Sequence, residues 1–276
     1  MTERKPYPSD LSDERWALIE PVITAWKAAH PSVSGHQGAY DMREIVNAIL
    51  YQGRTGCQWA FLPHDLPPSS AVYYYFAAWR EEGTDQTIHE LLRWQTREKQ
   101  GRLSDPSLVV LDTQSIRAAA AVPSDTTGND AGKRVTGRKR GLAVDVLGLV
   151  VAVVVLAASA HDNTAGTALL DRVTARTDTV QTALVDQGFK SAVVDHGAAL
   201  GIGVDIVARN PADRGFVPQP KRWVVEQTYG TLALHRRLVR DYEHRPASSE
   251  SRVYWAMSDV MARRLTGTSG SPWRGA

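Results

Sequence analysis

The sequence predicts an α+β chain: an N-terminal helical domain of helix-turn-helix character, followed by a mixed-sheet domain. Three observations predict it. Residues 1–104 carry apolar side chains at helical spacing, broken by capping and turn residues. At Asp105 the texture changes, and short valine-rich runs begin to alternate with helical stretches. Two of those runs end on an acid, Asp112 in SLVVLDT and Asp186 in TALVD.

Composition narrows the function classes. A chain of 276 residues makes one large or two modest domains. Cys57 is the only cysteine, which excludes an intrachain disulfide and a cysteine-rich zinc site and fits a reducing cytoplasm. The opening MTERKPYPSD has no apolar core of the signal-peptide kind. The most apolar run, 142–160, contains Asp145 and Gly148 and is rich in valine, so paired strands are expected there and no membrane span. Net charge is +2 but uneven: residues 1–104 hold 11 Lys/Arg against 13 Asp/Glu, so the excess of bases lies beyond them. The bases cluster, as in GKRVTGRKRG at 132–141, and clustered bases point to a phosphate-rich partner or to a solvated surface loop.

In the first part, Asp10 is a candidate cap for a helix over 11–28, with Trp16, Leu18, Ile19 and Val22 mostly on one side. Asp41 is a candidate cap for a second helix over 42–55, which Gly56 would stop. The prolines and serines of CQWAFLPHDLPPSS set up a new start near Ser69 or Ser70, so a third helix is expected from Ala71 to Glu82, and a fourth over 84–99. Helices joined by a short turn are compatible with helix-turn-helix DNA binding. The third helix, SSAVYYYFAAWR, has one base, Arg80, and its aromatics fit a core as well as a base-stacking platform.

In the second part, SLVVLDT is a short strand that delivers Asp112. Residues 117–140 are expected to be a polar, basic loop. Residues 142–159 split at Leu147-Gly148-Leu149 into a hairpin. Thr164 starts a helix running to about Ala175, TALVD is a strand, and a short helix over 191–200 and a strand over 203–208 follow. The stretch KRWVVEQTYGTLALHRRLVRDYE, 221–243, is expected as one helix of six turns, and a last helix runs over 249–265. Three antiparallel strands followed by βαβα units match the ribonuclease H-like order, in which the first and fourth strands are neighbours. Asp112 and Asp186 would then meet across the sheet. Glu226 on the long helix can complete the cluster. It is a lone acid on a face of Trp223, Val224, Val225, Tyr229 and Leu232, with Lys221 and Arg222 before it and Arg236, Arg237 and Arg240 after.

Carboxylates brought together repel, and either protons or divalent cations relieve them. Oxygen-only ligands favour Mg²⁺ or Mn²⁺ over zinc. Two such ions about 3.5–4 Å apart serve in-line phosphoryl transfer, and a basic surface holds the nucleic-acid backbone. The chemistry expected is that of a metal-dependent nuclease or strand-transfer enzyme. Competing acids have plainer explanations: Asp145 in the hairpin can face solvent, Asp162 in AHDNT starts a helix, and Asp195 and Asp205 lack a basic setting.

The motifs from Tyr7 to about Leu265 resemble the DDE transposases of the bacterial insertion-sequence-5 family, in the insertion-sequence-4-like superfamily. YPSDLSDERWALIEP, DMREIVNAILYQGRTGCQW and LPHDLPPSSAVYYYFAAWREEGT are similar to the family's helical DNA-end-binding region. LDTQSIR, GKRVTGRKRGLAVDVLGLVVAVVV, VDQGF and RWVVEQTYG followed by RRLVRDYE resemble its catalytic blocks, in order. The resemblance implies a DNA-end-binding domain over 1–104, a ribonuclease H-like catalytic domain over 105–267 and a disordered tail over 268–276. It implies that Asp112, Asp186 (74 residues on) and Glu226 (40 further) are the catalytic, metal-binding acids. Arg222 matches a phosphate-contacting arginine, and Lys133, Arg134, Arg138, Lys139 and Arg140 fall on the DNA track; Lys221, Arg236 and Arg237 join them as candidate DNA contacts. The chain departs from the family in having Gln227, Thr231 and Leu234 after the glutamate, and Ala77 and Ala78 in the third helix.

The implied function is to bind the terminal inverted repeats of an insertion sequence, cut its ends with two Mg²⁺ (Mn²⁺ substituting) and join the 3′-OH to target DNA. The partners are then double-stranded DNA and a second copy in a homodimer, in the cytoplasm with the nucleoid, and no membrane. A domesticated DNA-binding protein without catalysis and a nuclease that never joins strands are the rival readings.

Overall fold

The computed structural model describes residues 4–31, 40–207 and 223–268. Among them no helix is long and apolar enough to cross a membrane. Lys221, Arg222 and the tail from 269 lie outside the described residues. The chain divides into two compact units. One comprises residues 1–100, 235–238 and 251–276, the other 101–234 and 239–250. The expected single boundary near 104 therefore marks only the first crossing between them.

The first unit is helical. Helix α1, Asp13–Ala29, is capped by Ser12, whose hydroxyl accepts from the Arg15 N–H. Asp10, the expected cap, instead accepts from the Tyr7 N–H and pairs with Arg4, closing the turn before the helix. Helix α2, Met42–Thr55, starts on Asp41 and stops at Gly56, which takes the left-handed φ of 76° that glycine tolerates. Helices α3, Ser69–Glu81, and α4, Thr84–Lys99, follow. Phe76 and Trp79 of α3 are fully buried, while Tyr73 and Tyr74 are exposed. The aromatics of this helix thus divide between core and surface.

The second unit is built on one mixed sheet. Strands β1 (Leu108–Arg117), β2 (Gly128–Asp130), β3 (Val135–Val144), β4 (Val150–Ala157), β5 (Thr182–Val185) and β6 (Gly203–Ile206) alternate with α5 (Asp162–Thr174) and α6 (Ser191–Ala199). β1 lies between antiparallel β3 and parallel β5; β6 extends the parallel side, and β4 and β2 pair with β3. This is the ribonuclease H-like order. Val109, Leu111, Ala143, Ala183 and Val185 form a core with Ala165, Leu169 and Leu170 of α5 and Val193 of α6. Helix α7, Trp223–Ala233, packs against β1 and β3.

Three expectations are corrected here. The basic stretch expected as a loop contains β2 and runs into β3 at Val135, and Arg138, Lys139 and Arg140 are buried strand residues. Asp145, expected at the surface, is fully buried; its Oδ1 accepts from the N–H groups of Leu147 and Leu149 and ties the β3–β4 turn. The six-turn helix is three pieces: α7 ends at Ala233, a single turn α8 covers Arg236–Val239, and the chain then extends. Tertiary pairing outweighs helix propensity at that point. Asp241 exchanges backbone hydrogen bonds with Arg117 and Ala119, and its buried carboxylate accepts from Arg138, Ser249 and the Glu243 N–H. A continuous helix would forfeit all of these. The last helix, α9, runs Pro246–Leu265.

Candidate active site

The sheet register brings two of the three expected acids to one level. Leu108, Val109 and Val110 of β1 pair in parallel with Thr182, Ala183 and Leu184 of β5. The same offset, continued, sets Asp112 level with Asp186. Strand alternation sends Val109 and Leu111 into the core with α5, so Asp112 between Leu111 and Thr113 belongs to the opposite face. Asp112 is half-buried in β1; Asp186 sits just past the end of β5.

Asp186 is held by a tight turn. Its Oδ1 accepts from the Gly188 N–H at 2.8 Å, and its carbonyl accepts from the N–H of Phe189, whose ring is buried. A Cβ at Gly188 would stand 2.9 Å from Asp186 Oδ1 and 3.2 Å from Asp162 Oδ2. The absence of a side chain there lets both carboxylates approach the backbone more closely than a Cβ would allow.

Glu226 is exposed on α7, whose seat on the sheet is polar. One turn on, the buried Tyr229 hydroxyl donates to the carbonyl oxygens of Asp112, at 3.0 Å, and Arg140, at 2.9 Å. Burial, reinforced by the Asp112 charge, pushes the Tyr229 phenol well above its ordinary value, so it stays a donor at neutral pH. Thr228 donates to the Gly148 carbonyl in the β3–β4 turn, 3.0 Å away. Residues three apart share a helix face, so the anchor that fixes Tyr229 at Asp112 also directs the Glu226 side of α7 toward β1.

Asp162 comes near Asp186 at the Gly188 backbone, which the sequence did not announce. Its Oδ1 accepts from Lys139 Nζ and from Thr113 Oγ1, each at 2.7 Å. Burial works against its charge, but the hydrogen bonds from Lys139 and Thr113 outweigh it and hold the carboxyl below the usual range. The position of AHDNT at a helix start concealed this role, because only the fold brings Thr113 and Lys139 to it. Tyr229, expected on the apolar face of its helix, uses its hydroxyl instead; its spacing of three from Glu226 is the signal in the sequence.

The candidate DNA-contacting bases separate by environment. Lys133, Arg134 and Arg236 are exposed. Arg138 is buried against Asp241 and the carbonyls of Glu243 and His244, and Lys139 against Asp162. Arg140 is buried, and burial lowers its guanidinium from the ordinary value. Arg237 is buried in the helical unit, where it donates to the Cys57 carbonyl.

The donor chemistry of Asp112, Asp186 and Glu226 is that of a hard divalent cation: carboxylate oxygens and no thiol or imidazole. Asp112 on β1 and Asp186 just past the end of β5 fall at one level by the continued register. Among the described residues, no three His, Cys, Asp or Glu side chains are gathered into a ready-made metal cage.

Comparison with known families accords with this architecture. Residues 11–89 match a transposase family of the IS4/5 type, and residues 103–257 match the DDE domain of transposases, a domain that generally uses divalent metal ions. No curated protein matches the chain. The match over 103–257 spans more than half of the chain, includes all three acids and every strand of the sheet, and with the sheet order makes this chain a DDE transposase of the IS4/5 type.

Proposed function

We propose that the protein binds the terminal inverted repeats of its insertion sequence, cleaves the ends and joins the freed 3′-OH to target DNA. The observation that carries this reading is the β1–β5 register, which sets Asp112 level with Asp186 beside the α7 seat. In this reading Asp112, Asp186 and Glu226 hold two Mg²⁺, with Mn²⁺ able to substitute. When bound, such ions activate an attacking oxygen and stabilise the leaving oxygen of an in-line displacement. The chain's own residues position these groups. Asp112 is fixed by the β1 ladder, Asp186 by the Gly188 turn, and α7 by Tyr229 and Thr228. Glu226, exposed on α7, is able to swing onto the pair when DNA and cations arrive. Lys133, Arg134 and Arg236 are the exposed bases suited to phosphate contact, and the helical unit, by its family match, is the candidate for reading the DNA ends. Pairing two ends requires at least two copies of the chain in the working complex.

The test is Mg²⁺-dependent cleavage of labelled DNA that carries the element's ends. Wild type should leave 3′-OH ends and joined products. Asp112→Asn and Glu226→Gln should each bind the DNA and lose cleavage by more than the roughly 100-fold that loss of an outer-shell partner costs. Cleavage by Asp112→Asn at the wild-type rate would remove Asp112 from the site. Nicking without joined product would leave a nuclease, and binding without cleavage by the wild type would leave a DNA-binding protein.

A further inference from the structure

The turn between β2 and β3 is tied to β1 close to Asp112, and the tie presents an exposed cation. Asp130 closes β2. Its Oδ2 accepts from the Ser115 hydroxyl of β1, and its Oδ1 accepts from the Lys133 N–H at 3.0 Å. Ser115 lies three residues beyond Asp112 in the same strand. The Ser115 hydrogen bond, reinforced by the Lys133 N–H, holds the Asp130 carboxyl below its ordinary value, so it stays charged at neutral pH. The rest of the turn is held in an uncommon shape. Arg134 has a φ of 52° and is the one non-glycine residue in the left-handed region among the described residues. Residues with a Cβ seldom adopt it, and such positions gather at ligand clamps and active sites. Lys133 then reaches back over β1. Its Nζ donates to the carbonyl of Thr113, the residue after Asp112, at a long 3.4 Å. Its charge also acts on Asp162, which comes near Asp186 at the Gly188 backbone. Lys133 remains exposed. A long bond to a neutral carbonyl is weaker than one to a charged oxygen, so a phosphate would displace it.

We propose that Lys133 is a further catalytic residue: with DNA bound, its ammonium leaves the Thr113 carbonyl for a non-bridging oxygen of the phosphodiester to be cut, and Asp130, held by Ser115, positions it there. This differs from a general contact to the DNA backbone. A general contact adds affinity at any phosphate. A cation at the reacting phosphate meets the charge that shifts during the displacement, so it acts on the rate. Lysine suits the place, because a compact charge on a flexible stem can follow that oxygen. An acid within a basic run works against a plain phosphate track, and fixing the turn accounts for Asp130. The inference rests on the reading above, in which Asp112 marks the reacting centre.

The test is single-turnover cleavage, with Mg²⁺ and saturating full-length protein, of labelled DNA that carries the element's ends. Affinity for the same DNA is measured in parallel, and melting curves establish folding. Lys133→Met should slow the step on the order of 100-fold, the scale of one lost donor to developing charge, with a much smaller loss of affinity. Lys133→Arg should restore part of the rate. Asp130→Ala should slow it less, within the roughly 100-fold that a misplaced group costs. Asp130→Asn, which keeps an acceptor for the Lys133 N–H, should recover most of that loss. Weaker binding with an unchanged rate in Lys133→Met would make Lys133 a general backbone contact and overturn the proposal. A rate as low in Asp130→Asn as in Asp130→Ala would overturn the positioning role of Asp130. Asp112→Asn is run alongside. Its cleavage at the wild-type rate, or no cleavage by the wild type, would overturn the reacting centre itself, and the role of Lys133 with it.

Discussion

The five bases from Lys133 to Arg140 are alike in sequence and unlike in the fold. Arg138 spans Thr126, Asp241 and two carbonyls and is 1% exposed. Its replacement by alanine would leave the Asp241 carboxylate buried without its cation, a loss of about 3–5 kcal/mol, to be read from urea unfolding. Lys133 and Arg134 are exposed. Replacing both with alanine should leave stability within about 0.5 kcal/mol while weakening DNA binding across sequences. The slope of log affinity against log salt should fall by about 0.9 for each phosphate no longer neutralised. Charge clustering alone suggested one track for all five. Alternation sorts them, because β3 sends Arg138 and Arg140 to one face and Lys139 to the other, and the start of β3 could not be located in a run so rich in bases. The acids were more legible. Asp112 and Asp186 each close an apolar run, and the register sets them at a common level. Asp162 was hidden because its partners are distant in the chain and adjacent only in the sheet.

Among the elements, α7 and the β3–β4 hairpin depend on one another. Gly148 has a φ of 73°, and a Cβ there would meet Thr228 Oγ1 at 2.9 Å and Val224 Cγ2 at 3.4 Å. Both neighbours belong to α7, so Gly148→Ala combines a backbone cost of about 1–2 kcal/mol with a displaced helix. Tyr229→Phe keeps the shape and removes the hydroxyl that serves Asp112 and Arg140, at about 1 kcal/mol. Both variants should lose cleavage out of proportion to stability, since the helix they loosen carries Glu226. Cleavage rates measured well below the melting temperature would check this, and unchanged rates in both would detach α7 from catalysis. The hairpin itself was readable from Leu147-Gly148-Leu149, because glycine is what a left-handed turn requires. Helix α2 was readable from Asp41 and Gly56 for similar reasons. The end of α7 was not, since LALHRRLVRDYE has good helix formers and the break is imposed by Asp241 pairing with β1 and Arg138.

For the molecule as a whole, the helical unit is assembled from separated parts of the chain. Residues 1–100 supply α1 to α4, and residues 235–238 and 251–276 belong with them. The later segment contributes core side chains. Trp255 is 3% exposed with its ring centroid 5.7 Å from that of Trp79, and Met257 and Met261 are buried. The Arg252 guanidinium lies 4.1 Å from the centroid of Phe76 and 4.7 Å from that of Trp59. In α4, His89 stacks edge-on against Tyr254. Composition and periodicity place a boundary near Asp105 because the pattern changes there, but they carry no sign that α9 returns to the first unit. A fragment of residues 1–104 is therefore expected not to fold by itself. Loss of Trp255 alone would remove on the order of 3–5 kcal/mol, a large part of the marginal stability of a domain. Far-UV circular dichroism and a melting curve of the fragment are the check. A helical, non-cooperative signal is expected for residues 1–104, and a cooperative transition should return when residues 235–268 are joined through a flexible linker. A cooperative melt of the short fragment would show that the first four helices hold their core without α9.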